Sequence, residues 1–134
     1  MKTIVIPIFV MMALVLMLGC QRDAVEGLRA KAVHGDAEAQ FCLSKCYMGG
    51  NGVTRDIEEG MKWLRKAAEQ GFAEAQYSLG CYYLDGEGGL EKNPEEAVRW
   101  WQKAAAQGHQ DSKKMLHLLG MFKEGENVGT SLTQ

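Results

Sequence analysis

The chain repeats itself, and that repetition limits the fold more than any single motif does. The segment from His34 to Leu43 (HGDAEAQFCL) returns 36 residues later, from Gln70 to Leu79 (QGFAEAQYSL). The segment from Asp56 to Gly71 (DIEEGMKWLRKAAEQG) returns 37 residues later, from Asn93 to Gly108 (NPEEAVRWWQKAAAQG). The extra residue falls in the glycine-rich stretch 86–90, opposite 50–53. A third, degenerate copy opens at Gln107. A period of this length belongs to stacked units, each too small to bury its apolar face alone.

Each unit reads as a helix pair. In the first helix, Ala37 to Met48, residues Ala39, Leu43 and Tyr47 fall four apart on one face, and Ala75, Leu79 and Tyr83 repeat that stripe. The second helix opens on Asp56 or Asn93, both good N-caps, with acidic residues in the first turn and Pro94 at the first helical position. It ends at Gly71 or Gly108, the residue type that accepts a left-handed conformation after a helix. Gly35 ends an earlier helix that starts near Ala24. The expectation is an all-α solenoid of helix-turn-helix units over residues 25–122, two full units plus a terminal cap helix at 110–122. There His117 stands where Gly80 allows close helix approach, and Lys113 replaces Gln76. Residues 123–134 read as a flexible tail.

The pattern Ala-Glu-Ala-Gln-x-x-Leu-Gly-x-x-Tyr, a glycine-rich turn, then Asp-x-x-x-Ala-x-x-Trp-x-x-Lys-Ala-Ala-x-x-Gly resembles the Sel1-like repeat, a relative of the tetratricopeptide repeat. The unit from Ala73 to Gly108 fits almost throughout. The first unit departs at Ser44 for Gly, at Cys46-Tyr47 for the aromatic pair Tyr82-Tyr83, and at Gly60 for Ala. The resemblance implies first helices lining a concave face, which would present Glu38, Phe41, Lys45, Glu74, Tyr77, Cys81, Asp111 and Lys114. Phe41 and Tyr77 share one repeat position. Two roles stay open for them: aromatic anchors with a polar rim, as protein recognition uses, or sideways packing between first helices. Trp63, Trp100 and Trp101 read as core, with Trp101, in place of Leu64, the one expected to be partly exposed.

Ahead of the repeats, Ile4 to Leu18 is an apolar run of 15 residues containing Pro7 and preceded by Lys2. That is short of the roughly 20 residues a spanning helix needs, and it suits the apolar region of a secretory signal. Its end, Met17-Leu18-Gly19-Cys20, resembles the lipobox of bacterial lipoproteins, in which the Cys is lipidated and becomes the new N-terminus. The resemblance implies a signal peptide at 1–19, a lipidated Cys20 with a short tether at 20–24, and a body that faces the periplasm. Gln21 is not the Asp that retains such proteins in the inner membrane, so the outer membrane is the expected address.

No constellation of catalytic residues emerges. Glu58-Glu59 and Glu95-Glu96 imitate an acid-base pair but occupy helix first turns, where they answer the dipole. The stretch from Gly86 to Gly89 follows no strand and precedes no Lys-Ser/Thr, so it is a turn rather than a phosphate loop. No enzyme activity, cofactor or metal is expected. A net charge of −2 argues against a nucleic-acid partner. Besides Cys20 the chain has Cys42, Cys46 and Cys81, an odd number for an oxidising compartment. Cys42 and Cys46, four apart on one helix, are awkward disulfide partners. A bridge from Cys81 to Cys42 or Cys46, or three partly buried thiols, both stay open. Zinc is not expected, because no His has matching spacing.

The functional expectation is a lipid-anchored module that binds another periplasmic or secreted protein. Small Sel1-like lipoproteins resemble immunity proteins that neutralise secreted phospholipase effectors. An adaptor for a secretion or polysaccharide apparatus is the alternative, and a cell-wall-related hydrolase a remote third.

Overall fold

The structure, a computed structural model, describes residues 23–120. The signal peptide expected at 1–19, Cys20 and residues 121–134 lie outside the described residues. The described chain holds six helices: α1 (residues 23–33), α2 (Ala37–Gly49), α3 (Ile57–Glu69), α4 (Ala73–Asp85), α5 (Pro94–Ala106) and α6 (Gln110–Leu118). No strand occurs among the described residues. Asp23 and Ala24, within the tether expected at 20–24, are already helical. Val25 is buried against Ala32, Ala39 and Leu43, and helix through residue 23 holds it on that face.

The helix ends follow the polar signals in the sequence. The side chains of Asp36, Asp56 and Asn93 accept the N–H of Ala39, Glu59 and Glu96 at 2.9–3.0 Å, each satisfying a donor that the first turn leaves over. At the other end, Gly71 and Gly108 both take φ of +93°, a conformation that a Cβ would strain. The Gly71 N–H then bonds the Ala68 carbonyl, and the Phe72 N–H reaches back to Ala67. The same pair of bonds recurs after Gly35 and Gly108.

α2 packs along α3, and α4 along α5; α3 then carries α4, and α5 carries α6. The expected stripe holds: Ala39, Leu43, Ala75 and Leu79 are buried, with Tyr47 and Tyr83 packed beside them. α1 occupies the place of a second helix, with no first helix before it among the described residues. Val25, Leu28 and Ala32 lie 36 positions before Met61, Leu64 and Ala68 and do the same packing. α6 is a first helix with no second helix described after it. Over the described residues the solenoid therefore runs from half a unit to half a unit, with two whole units between.

A glutamine ladder joins these layers. Gln40 and Gln76, the last residues of the two Ala-Glu-Ala-Gln motifs, are 4% and 5% exposed. Gln40 donates to the Ala32 carbonyl at 2.9 Å and accepts from Gln70 at 2.6 Å. Gln76 donates to Ala68 at 3.1 Å and accepts from Gln107 at 2.9 Å. Each buried amide thus ties the end of one second helix to the end of the next. The ladder stops where His34 and Lys113 replace the glutamines.

Candidate partner-binding face

The residues expected on the first-helix face divide into an exposed rim and a packed interior. Glu38 and Lys45 on α2, Glu74 on α4, and Asp111 and Lys114 on α6 are exposed; Phe41, Tyr77 and Cys81 are half-buried. Glu38, Glu74 and Asp111 occupy one repeat position, the first turn of successive first helices. Lys114 pairs with Asp111 at 3.0 Å, and that hydrogen bond holds the Asp111 carboxyl below its ordinary range.

Phe41 and Tyr77 take the sideways role. The Phe41 ring meets Phe72 at 5.4 Å, and Tyr77 meets His109 at 5.0 Å, so each packs on the residue that opens the next first helix. Asp36, Phe72 and His109 share that opening position. Asp36 caps its helix, Phe72 makes no side-chain cap and packs on Phe41, and the His109 Nδ1 accepts the Ser112 N–H at 3.2 Å while its ring packs on Tyr77. The Lys45 ammonium lies 4.6 Å from the Phe41 ring centre, covering its outer side with charge.

One expectation is corrected. Trp101 is 0% exposed, not partly exposed. Its indole lies against Gly80, where a Cβ would come within 2.5 Å of Nε1, and Nε1 donates to the Tyr77 carbonyl at 3.1 Å. Of the two arrangements left open for the cysteines, the structure has the thiols: Cys42, Cys46 and Cys81 are free. Cys46 packs on Val25, Ala32 and Leu43, whereas Cys81 packs on Trp101 and Leu116, a different layer of the solenoid. Burial raises the Cys81 thiol pKa, opposed by hydrogen bonds with Tyr77 and Trp101. Burial, then the neighbouring Cys42, raises that of Cys46. Among the described residues, no group of three or more His, Cys, Asp or Glu could hold a metal ion.

Two features went unread in the sequence. The glutamine ladder was signalled by the repeated Ala-Glu-Ala-Gln ending, whose Gln has no place in an apolar stripe. A polar cleft between α1 and the α2–α3 loop, which contains Arg29 and Arg55, had no signal, because its residues are distant in sequence.

Comparison with known proteins agrees with this geometry. The Sel1 repeat model matches residues 37–72 and 73–109, and the chain belongs to the Sel1 repeat family. A Sel1 repeat protein from Oxalobacter formigenes superposes with a TM-score of 0.70 at 33% identity, covering 81% of this chain and 79% of that one. A protective antigen of uropathogenic Escherichia coli strains, displaying an SLR fold, gives a TM-score of 0.67 at 40% identity, covering 71% of this chain and 20% of that one. A chitin synthase regulator of Saccharomyces cerevisiae is 35% identical over 69 residues, 52% of this chain and 10% of its own length. A chitin synthase regulatory factor of Schizosaccharomyces pombe is 43% identical over 67 residues, 48% and 7% respectively. The chain spans at most a tenth of the length of these two curated relatives. Sel1 repeat proteins are in general protein-interaction modules.

Proposed function

We propose that the chain is a periplasm-facing binding module, held to the outer membrane through lipid on Cys20, that engages another protein with its first-helix face. The observation that carries this reading is the division of labour on α2, α4 and α6. The buried stripe, with Gln40 and Gln76, serves stacking, while Glu38, Glu74 and Asp111 recur at one exposed repeat position and Lys45 is exposed beside them. A polar rim around half-buried rings is the anatomy of a protein interface. An enzyme is the favoured class of partner, since both curated relatives are named as regulators of one. An immunity protein that neutralises a secreted phospholipase fits this pattern, with an envelope-assembly adaptor as the alternative.

Capture from envelope extract by the intact chain tests the reading. Glu38→Lys with Glu74→Lys should abolish capture of a discrete partner, while Arg65→Glu on the exposed side of α3 should leave it intact. Equal capture by both variants contradicts the assignment of the face.

A further inference from the structure

Between α1 and the α2–α3 loop the molecule opens into a cleft of about 390 Å³, within the size range of small-molecule sites. Arg29 from α1 and Arg55 from the loop line it together with the carboxylates of Glu26 and Asp56. The fold orients both guanidinium groups. Arg29 donates from Nη2 to the Tyr47 hydroxyl and lies 5.8 Å from that ring's centre. Arg55 donates from Nε to the Met48 carbonyl at 3.0 Å. Each bond uses one nitrogen and leaves further N–H donors on the same rigid fork. One oxygen of Asp56 caps α3 through the Glu59 N–H at 3.0 Å.

Asp56 caps α3 as Asn93 caps α5, but stacking does not explain the set of charges as a whole. One repeat further along the chain, the equivalent positions carry Lys62, Arg65, Lys92 and Asn93. The basic residues recur, so the two acids are what the first unit adds. A purely anionic ligand would meet those carboxylates at a cost, and a purely cationic one would meet the arginines. A ligand carrying both signs satisfies the whole lining. Arginine forks match phosphate oxygens in bidentate geometry, and a carboxylate suits an ammonium.

We propose that this cleft binds a small zwitterion of the phosphoethanolamine type, with its phosphate on Arg29 and Arg55 and its ammonium on Glu26 and Asp56. The ligand could be the free compound or the ethanolamine headgroup of a bilayer. Glu26 is at most about 20 Å from Cys20, the reach of six extended residues. The bilayer source rests on the lipid-anchored reading above; recognition of the zwitterion does not.

The full chain in maltoside detergent is titrated with phosphoethanolamine, methyl phosphate and ethanolamine separately, with amide and arginine side-chain resonances followed by NMR. Phosphoethanolamine should bind most tightly and shift residues 52–56 and the Arg29 side chain. Arg29→Gln should weaken it by about tenfold or more, and Arg29→Lys, which keeps charge without the fork, should weaken it less. Glu26→Gln should erase the preference over methyl phosphate while methyl phosphate still binds. Absence of shifts in the cleft, unchanged affinity in Arg29→Gln, or a preference that survives Glu26→Gln overturns the proposal. The wild-type shifts decide the outcome even if an arginine variant unfolds. For the source, the Cys20→Ser chain is mixed with phosphatidylethanolamine and phosphatidylglycerol vesicles. Binding to the former alone, competed by phosphoethanolamine, assigns the bilayer; indifference to both assigns the free compound. Membrane retention of Cys20→Ser in cells contradicts lipid anchoring and leaves the soluble titration untouched.

Discussion

Trp101 is the largest side chain among those fully buried, and the size of its neighbours makes room for it. The second unit sets Gly80 and Ala97 around Trp101, whereas the first sets Ser44 and Gly60 around Leu64. Bulk lost on one helix is restored on the other. A Cβ on Gly80 would stand 2.7 Å from Trp101 Cδ1, and one on Gly60 would stand 3.0 Å from the Ser44 carbonyl. Gly80→Ala should therefore cost about 1–3 kcal/mol through overpacking. Trp101→Leu should cost about 2 kcal/mol or more through the cavity it leaves. Gly80→Ser with Trp101→Leu rebuilds the first unit's pairing, so urea unfolding should give a loss smaller than the sum of the singles. Additive losses would refute the compensation. The sequence displayed both substitutions, but reading Trp101 against Leu64 alone suggested exposure. The information lay in the facing helix, where the spacing of one strand of text does not reach.

The thiols belong to the same scale. Cys46 and Cys81 release their protons less readily folded than unfolded. Above the ordinary thiol value the folded chain thus holds more protons than the unfolded one. Their contribution to stability is complete below that value, 9.0, and falls as pH rises past it. Iodoacetamide should alkylate Cys81 more slowly in the folded chain than in urea, with the folded rate still climbing above pH 9. Equal rates at pH 8 would contradict its burial.

At the scale of elements, the ends of the helices were legible and the function of the end helices was not. Asp56, Asn93, Gly71 and Gly108 carry local chemistry, and the structure uses each as that chemistry dictates. α1 was readable as a helix from Gly35 backwards, but its role as a second helix rests on Val25, Leu28 and Ala32, too few residues to declare a repeat. The glutamine ladder makes the coupling between elements testable. Gln40→Leu removes the side-chain bonds to the Ala32 carbonyl and from the Gln70 amide, and Gln76→Leu removes those to Ala68 and from Gln107, while the Gly35 and Gly71 N–H groups still reach the two carbonyls. Each should cost about 1–3 kcal/mol, the net worth of the two hydrogen bonds removed. Gln110→Leu, on the exposed side of α6, should cost little. Hydrogen exchange should show α6 opening before α3 and α4, because a single described layer covers it. Uniform exchange across all six helices would contradict that order.

At the scale of the molecule, the two units and two half-units among the described residues make a short stack with a modest face, and the question is what that face meets. Its exposed charges were readable from the repeat register: Glu38, Lys45, Glu74, Asp111 and Lys114 all stand outside the core. The roles of Phe41 and Tyr77 were not, since sideways packing depends on Phe72 and His109 in the following layer. Alanine at Phe41 or Tyr77 would thus disturb stacking as well as binding, and the rim residues are the cleaner probes. The most direct measurement places a photo-crosslinking amino acid singly at Glu38, Lys45 and Glu74, and at Arg65 and Lys103 on the second helices, in the intact chain in cells. The account predicts one discrete protein adduct from the three first-helix positions and none from the second-helix pair. Adducts from Arg65 and Lys103 alone would contradict it.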